Sequence, residues 1–147
     1  MSLVLIVDDQ PPIRELLITW ISRDGYETAQ AADAEAALDE MMARPADVVI
    51  CHAPIPEQGE RGLAASLHER FPDTAIIMAT GDNEGPPAIS LQPGVMLYLA
   101  MPFGCDAVLK AVRLGFQWHR MSMAIRAKKA EQAESIKTWL ANGDASE

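Results

Sequence analysis

Ala46-Asp47-Val48-Val49-Ile50-Cys51-His52-Ala53-Pro54-Ile55-Pro56 is the stretch from which the rest of the chain can be read. Val48 to Cys51 is apolar without interruption and stops at loop chemistry, the pattern of a short strand buried on both faces of a parallel sheet. The residue that leaves such a strand at its carboxyl end points into the crevice where open α/β sheets hold ligands. Here that residue is His52.

Working outward, Leu3-Val4-Leu5-Ile6-Val7 is a second buried-strand run, and it ends on the paired carboxylates Asp8 and Asp9. Pro11 and Pro12 follow where a first helical turn tolerates proline. Ile13, Leu16, Leu17, Trp20 and Ile21 then recur at helical spacing until Asp24-Gly25 offers a stop. Residues 26–31 read as a weaker strand. Asp33 caps a helix over 34–43, which Pro45 bars from continuing. Leu63, Leu67 and Phe71 mark a third helix closed by Pro72, Ala75 to Ala79 a fourth strand ending on Thr80-Gly81, and Val95 to Leu99 a fifth. Between the last two strands, prolines at both ends of residues 85–94 leave room for only a turn or two of helix. From Asp106 the helical period returns through Val108, Leu109, Val112 and Phe116. Strands separated by single helices imply parallel pairing, right-handed crossovers and a sheet covered on both sides.

Composition narrows the classes. A chain of 147 residues with 49% apolar and 22% charged residues can bury one sizeable core. No apolar run approaches the roughly 20 residues of a membrane helix, and the start has no basic leader, so a cytoplasmic location is expected. Cys51 and Cys105 have no pairing or ligand spacing and read as buried free thiols. A net charge of −9 disfavours nonspecific nucleic-acid or anionic-membrane binding.

Four segments together resemble the receiver domains of two-component response regulators, the CheY-like family, over about residues 2 to 120. They are Leu5-Ile6-Val7-Asp8-Asp9, the Asp47-to-Pro56 stretch, Ala79-Thr80-Gly81, and Tyr98-Leu99-Ala100-Met101-Pro102-Phe103. The resemblance implies a flavodoxin-like (βα)5 doubly wound parallel sheet in the order 2-1-3-4-5, an order carried over from the family. It also implies roles. Asp8 and Asp9 match the acidic pair that helps hold Mg2+, Thr80 the hydroxyl that contacts phosphoryl oxygens, Tyr98 the aromatic switch, and Pro102 a cis-proline candidate.

Two positions depart from the family's pattern. His52 stands where the phosphoryl-accepting aspartate belongs, and Met101 where a lysine belongs. The first change removes the carboxylate nucleophile and the second the cation that neutralises charge on the transferred group. The losses are electrically matched, because two aspartates with a neutral histidine and a methionine keep the formal charge of three aspartates and a lysine. Carboxylates about 4 Å apart repel by roughly 4 kcal/mol at an effective dielectric near 20. A protonated His52, its pKa raised by Asp8 or Asp9, would relieve this in the metal's place. No cofactor is expected, with Mg2+ at Asp8 and Asp9 weak or absent. The loop from Pro56 to Gly62 is longer than the family's usual spacing, and the stunted helix after strand four alters a face that receivers commonly use for docking.

Residues 118–140 lack proline and glycine and are rich in good helix formers, so one helix over about 106–141 is expected. Phe116, Met123, Ala127, Ala130, Ala133 and Leu140 offer it only a thin apolar stripe. Arg120, Arg126, Lys128 and Lys129 read as a solvated face, and no helix-turn-helix follows. The division is a receiver-like domain at 1–121 and a helical extension with a disordered tail at 122–147. The function these features imply is a non-enzymatic two-component signalling module, a pseudo-receiver acting by protein contact or dimerisation. Its expected partners are a histidine kinase or effector and a second copy, with no nucleic acid and no membrane. Open beside it stand residual phosphotransfer through His52 or a neighbour, a small flavodoxin-like hydrolase using Asp8 and Asp9, and a structural cap on a functional helix.

Overall fold

The computed structural model describes residues 2–52, 59–80, 94–100 and 102–142. Its elements run β1 (Leu3–Val7), α1 (Pro11–Arg23), β2 (Glu27–Ala31), α2 (Ala34–Ala43), β3 (Val48–His52), α3 (Gly59–Arg70), β4 (Ala75–Thr80), β5 (Val95–Ala100) and α4 (Cys105–Asn142). The five strands form one sheet in the order β2-β1-β3-β4-β5, and every pairing is parallel. This is the flavodoxin-like arrangement that the family resemblance implies.

Alternation along each strand splits the interior into two layers. Leu3, Leu5, Val7, Val49, Cys51, Ile76 and Met78 pack with Ala37, Met41, Leu63 and Leu67 from α2 and α3. Val4, Ile6, Val48, Ile50, Ala75 and Ile77 face the other way, against Leu17 and Ile21 of α1 and Val108, Val112 and Phe116 of α4. Each such side chain taken from water contributes about 1.5–3 kcal/mol, which is why β1, β3 and β4 read as unbroken apolar runs. Gly115 lets α4 lie close on the sheet, since a Cβ there would meet both Val48 methyls at 3.1 Å.

Local chemistry sets the boundaries. Pro11 opens α1, Gly25 takes φ 95° in the turn after it, and the Asp33 carboxylate accepts from the Ala36 amide at 2.8 Å to cap α2. Three expectations need correction. Tyr26 precedes β2 rather than starting it, because its amide turns back to the Ile21 carbonyl at 3.4 Å, while its ring stacks on Phe116 with centroids 4.9 Å apart. Phe71 lies just past α3, although its amide still reaches the Leu67 carbonyl at 2.7 Å. Cys51 is buried, but Cys105 is only half-buried because it opens α4 at the rim of the domain.

α4 runs for 38 residues, about 57 Å at 1.5 Å per residue, and passes position 121 without a break. From Met123 to Asn142 every residue of the helix is exposed. The apolar stripe is not the one drawn through Phe116, which faces the sheet. At about 100° per residue, Leu114, Trp118, Met121, Ile125, Ile136 and Trp139 fall within one arc of about 60° on the opposite side. Trp118 is half-buried and the other five are exposed. Among the described residues no helix is long and apolar enough to cross a membrane.

Candidate functional site

β1 and β3 are neighbours in the sheet, so their carboxyl ends bring Asp8 and His52 to one crevice. Asp8 is 2% exposed and tightly held. Its amide donates to the Ala31 carbonyl at 3.1 Å, its carbonyl accepts from Arg14 Nη1 at 2.6 Å, and its Oδ1 accepts from the Gln10 amide at 2.8 Å. That last bond seats the carboxylate at the amino end of α1, where the helix dipole favours negative charge. His52 Nδ1 lies 3.5 Å from the same Oδ1. Asp9 is exposed, and one ligand atom each from Asp8, Asp9 and His52 fits within a 4.8 Å spread. The donor set is therefore two carboxylates and an imidazole.

The other expected site residues are placed differently. Thr80 is buried at the end of β4, and its hydroxyl donates to the Leu99 carbonyl on β5 at 3.3 Å. Tyr98 is half-buried on β5 and packs on the α2 and α3 side of the core. Pro102 is exposed before α4. Met101, and with it the peptide bond that would make Pro102 cis, lies outside the described residues. So do the loop following His52, the short helix expected between β4 and β5, and the tail after Asn142.

A second polar cluster, at the amino end of the sheet, was not foreseen. Asp73, in the turn before β4, accepts from Ser122 Oγ at 2.7 Å and from Arg126 Nε at 3.1 and 3.2 Å. His119 lies between two acceptors, with Nδ1 2.6 Å from the Asp73 carbonyl and Nε2 3.3 Å from Asp47 Oδ1. Asp47 Oδ2 accepts in turn from the Leu3 amide at 3.2 Å. Burial alone would raise the Asp73 carboxyl, but the Ser122 and Arg126 hydrogen bonds and the charges of Arg126 and His119 outweigh it and hold the group below its usual range. Positions 119, 122 and 126 share one helix face. That spacing was the available signal in the sequence.

The model of the response regulator receiver domain matches residues 4–113. This chain belongs to that family. Among curated receivers' parent proteins it is 29% identical over 133 residues to the C4-dicarboxylate transport transcriptional regulatory protein DctD of Pseudomonas aeruginosa, covering 89% of this chain and 29% of that protein. It is 27% identical over 113 residues to the transcriptional regulatory protein KdpE of Mycobacterium tuberculosis, covering 77% of this chain and 50% of that one. The chain thus spans between 29% and 50% of these relatives. Among solved structures, the signal receiver domain of an HD domain-containing protein from Pseudomonas fluorescens superposes with a TM-score of 0.74 at 28% identity, covering 82% of this chain and 98% of that one. A receiver domain from Clostridium thermocellum gives 0.75 at 21% identity, with coverage of 82% and 98%, which shows the shared fold. In receiver terms, His52 and Asp8 occupy the carboxyl-edge pocket, while the Asp73 cluster ties α4 to the opposite edge.

Proposed function

We propose that this receiver works without aspartyl phosphorylation, as a pseudo-receiver that signals through protein contacts. The observation that carries the reading is the 3.5 Å approach of His52 Nδ1 to Asp8 Oδ1 in the pocket where receivers accept phosphate. An imidazole there offers no carboxylate to form an acyl phosphate. Protonated, it pairs with Asp8 and supplies inside the chain the positive charge that a metal would bring. Met101 in the lysine's place removes the fixed cation, and Thr80 already directs its hydroxyl to β5. The donor set does not fit Mg2+, which takes oxygen ligands in a near-ideal octahedron. On this reading the chain is not an enzyme. It acts in the cytoplasm, and its partner is a histidine kinase or an effector rather than nucleic acid or a membrane.

A second copy of the chain is the occupant that best fits the exposed stripe on α4. Leu114, Ile125 and Ile136 recur at 11-residue intervals, a spacing close to the turn of a nearly straight helix. An identical helix repeats the same spacing and can match the narrow arc along its length. A broad sheet or globular surface would leave most of the arc's flanks, rich in lysine and glutamate, facing apolar atoms.

Incubation with acetyl phosphate and Mg2+, followed by intact mass measurement, tests the first claim. No added phosphoryl mass is expected, and a stable adduct on His52 or a neighbour would overturn it in favour of surviving phosphotransfer. Light scattering on the full chain and on Ile125→Glu tests the second. A dimer that the substitution converts to monomer is expected, and a wild-type monomer would refute it.

A further inference from the structure

We infer that Asp8, Asp9 and His52 form a site for a borderline divalent cation of the Zn2+ or Co2+ class, selected over Mg2+. The inference rests on the reading that this pocket has left magnesium-dependent phosphoryl chemistry, and it turns the misfit with Mg2+ into a preference. Imidazole suits zinc, nickel and copper, whereas carboxylates and water suit magnesium. A cation about 2.0–2.1 Å from a nitrogen and an oxygen ligand at a tetrahedral angle separates them by about 3.3 Å. The observed separation of 3.5 Å between His52 Nδ1 and Asp8 Oδ1 is within a few tenths of that. With Asp9 included the three ligand atoms span up to 4.8 Å, wider than one cation allows, so the Asp9 side chain must swing inward to ligate.

Rigidity supports the assignment. Asp8 and His52 sit at the ends of adjacent core strands paired in register, and Asp8 is held by three backbone-level hydrogen bonds. Such fixed supports place ligand atoms better than loops do. Asp9, being exposed, has the freedom to close onto a cation. A proton and a cation compete for the His52 nitrogen that faces Asp8, so metal binding displaces the ion pair; with His52 then neutral, the two carboxylates balance a dication, and three protein ligands leave a fourth position for water. The buried carboxylate and the imidazole together distinguish this pocket from a cluster of surface acids.

The test is titration of the full chain with Zn2+ and with Mg2+ by calorimetry, and with Co2+ by visible absorption, whose ligand-field bands report nitrogen ligation. One equivalent of Zn2+ or Co2+ is expected to bind, with Mg2+ much weaker. Loss of a direct ligand in His52→Gln should weaken Zn2+ by more than the roughly 10- to 100-fold that accompanies loss of groups that merely orient one. His52→Asp should reverse the preference towards Mg2+. His119→Gln, at the opposite end of the sheet, should leave Zn2+ binding unchanged. Wild-type binding of Mg2+ as tight as Zn2+, no binding of any of these cations, or unchanged Zn2+ affinity in His52→Gln would each overturn the inference. A phosphoryl adduct in the mass measurement would instead defeat the reading beneath it, so the two failures are distinguishable.

Discussion

Asp73→Ala should loosen α4 from the amino edge of the sheet. The carboxylate takes one hydrogen bond from Ser122 at 2.7 Å, and bonds of this kind to a charged group contribute about 1.5–3 kcal/mol. Arg126 adds contacts at 3.1 and 3.2 Å, but its side chain is 56% exposed, so solvent screening holds that pair to about 1 kcal/mol at most. The expected cost is therefore about 1.5–4 kcal/mol for Asp73→Ala, about 1.5–3 for Ser122→Ala and at most about 1 for Arg126→Ala. Urea denaturation followed by far-ultraviolet circular dichroism measures all three, and hydrogen exchange at residues 119–126 should quicken in each. Acid gives an independent check. Because the folded carboxyl is held below its ordinary value of 3.8, the stabilisation is fully present above that pH. It is lost as pH falls through the lower folded value, so the gap between wild type and Asp73→Ala should close in strong acid. A gap under about 0.5 kcal/mol at neutral pH, or one that persists unchanged in acid, would refute the clasp.

Burial pushes the Cys51 thiol up to about 12 from 9.0. Above pH 9 the unfolded chain therefore sheds a proton that the folded one keeps, and the advantage of wild type over Cys51→Ala should shrink by about 1.4 kcal/mol by pH 10; urea midpoints at pH 8 and 10 that show a constant gap would contradict this. Gly115→Ala gains about 1 kcal/mol of helix propensity but drives a methyl to 3.1 Å from Val48, and overpacking costs about 1–3 kcal/mol. A lower melting temperature is expected, and a higher one would show that α4 can shift away without cost. Asp33→Ala removes the α2 cap seen at 2.8 Å and should cost about 1 kcal/mol, with Asp33→Ser retaining most of it in the same melt.

The sheet was legible because its central strands carry their burial in sequence. Val48 to Cys51 and Ala75 to Ala79 are apolar at every step, and both faces of each strand are covered. Asp8 and His52 could be paired in advance because parallel topology stacks the carboxyl ends of neighbouring strands. What escaped were features set by rotation rather than by composition. Phe116 and Leu114 lie two residues apart, about 200° around the helix, so an apolar line drawn through the wrong one crossed the buried face and missed the exposed stripe. Thr80 was matched to phosphate by position alone, and the sequence gives no sign of the hydrogen bond from its hydroxyl to the Leu99 carbonyl across the ladder. The Asp73 clasp joins residues 49 and 53 positions apart, a separation at which no local pattern gives notice.

The two polar clusters lie at opposite edges of one sheet, and neither contributes the bulk of its core. Leu5, Ile6, Ile50, Ile76 and Ile77, fully buried along the central strands, belong to neither cluster. The pocket holds a strand-to-strand approach of 3.5 Å between Asp8 and His52. The output retains a long helix that crosses the sheet face through Val108, Val112 and Phe116 before the clasp holds it at the other edge. On the pseudo-receiver reading, a change at His52 reaches α4 through β3, whose Val48 packs directly against the helix at Gly115. Removing the clasp with Asp73→Ala should then weaken any dependence of helix exchange on Zn2+ while leaving Zn2+ affinity intact. Equal Zn2+ effects on α4 exchange in wild type and Asp73→Ala would break that connection.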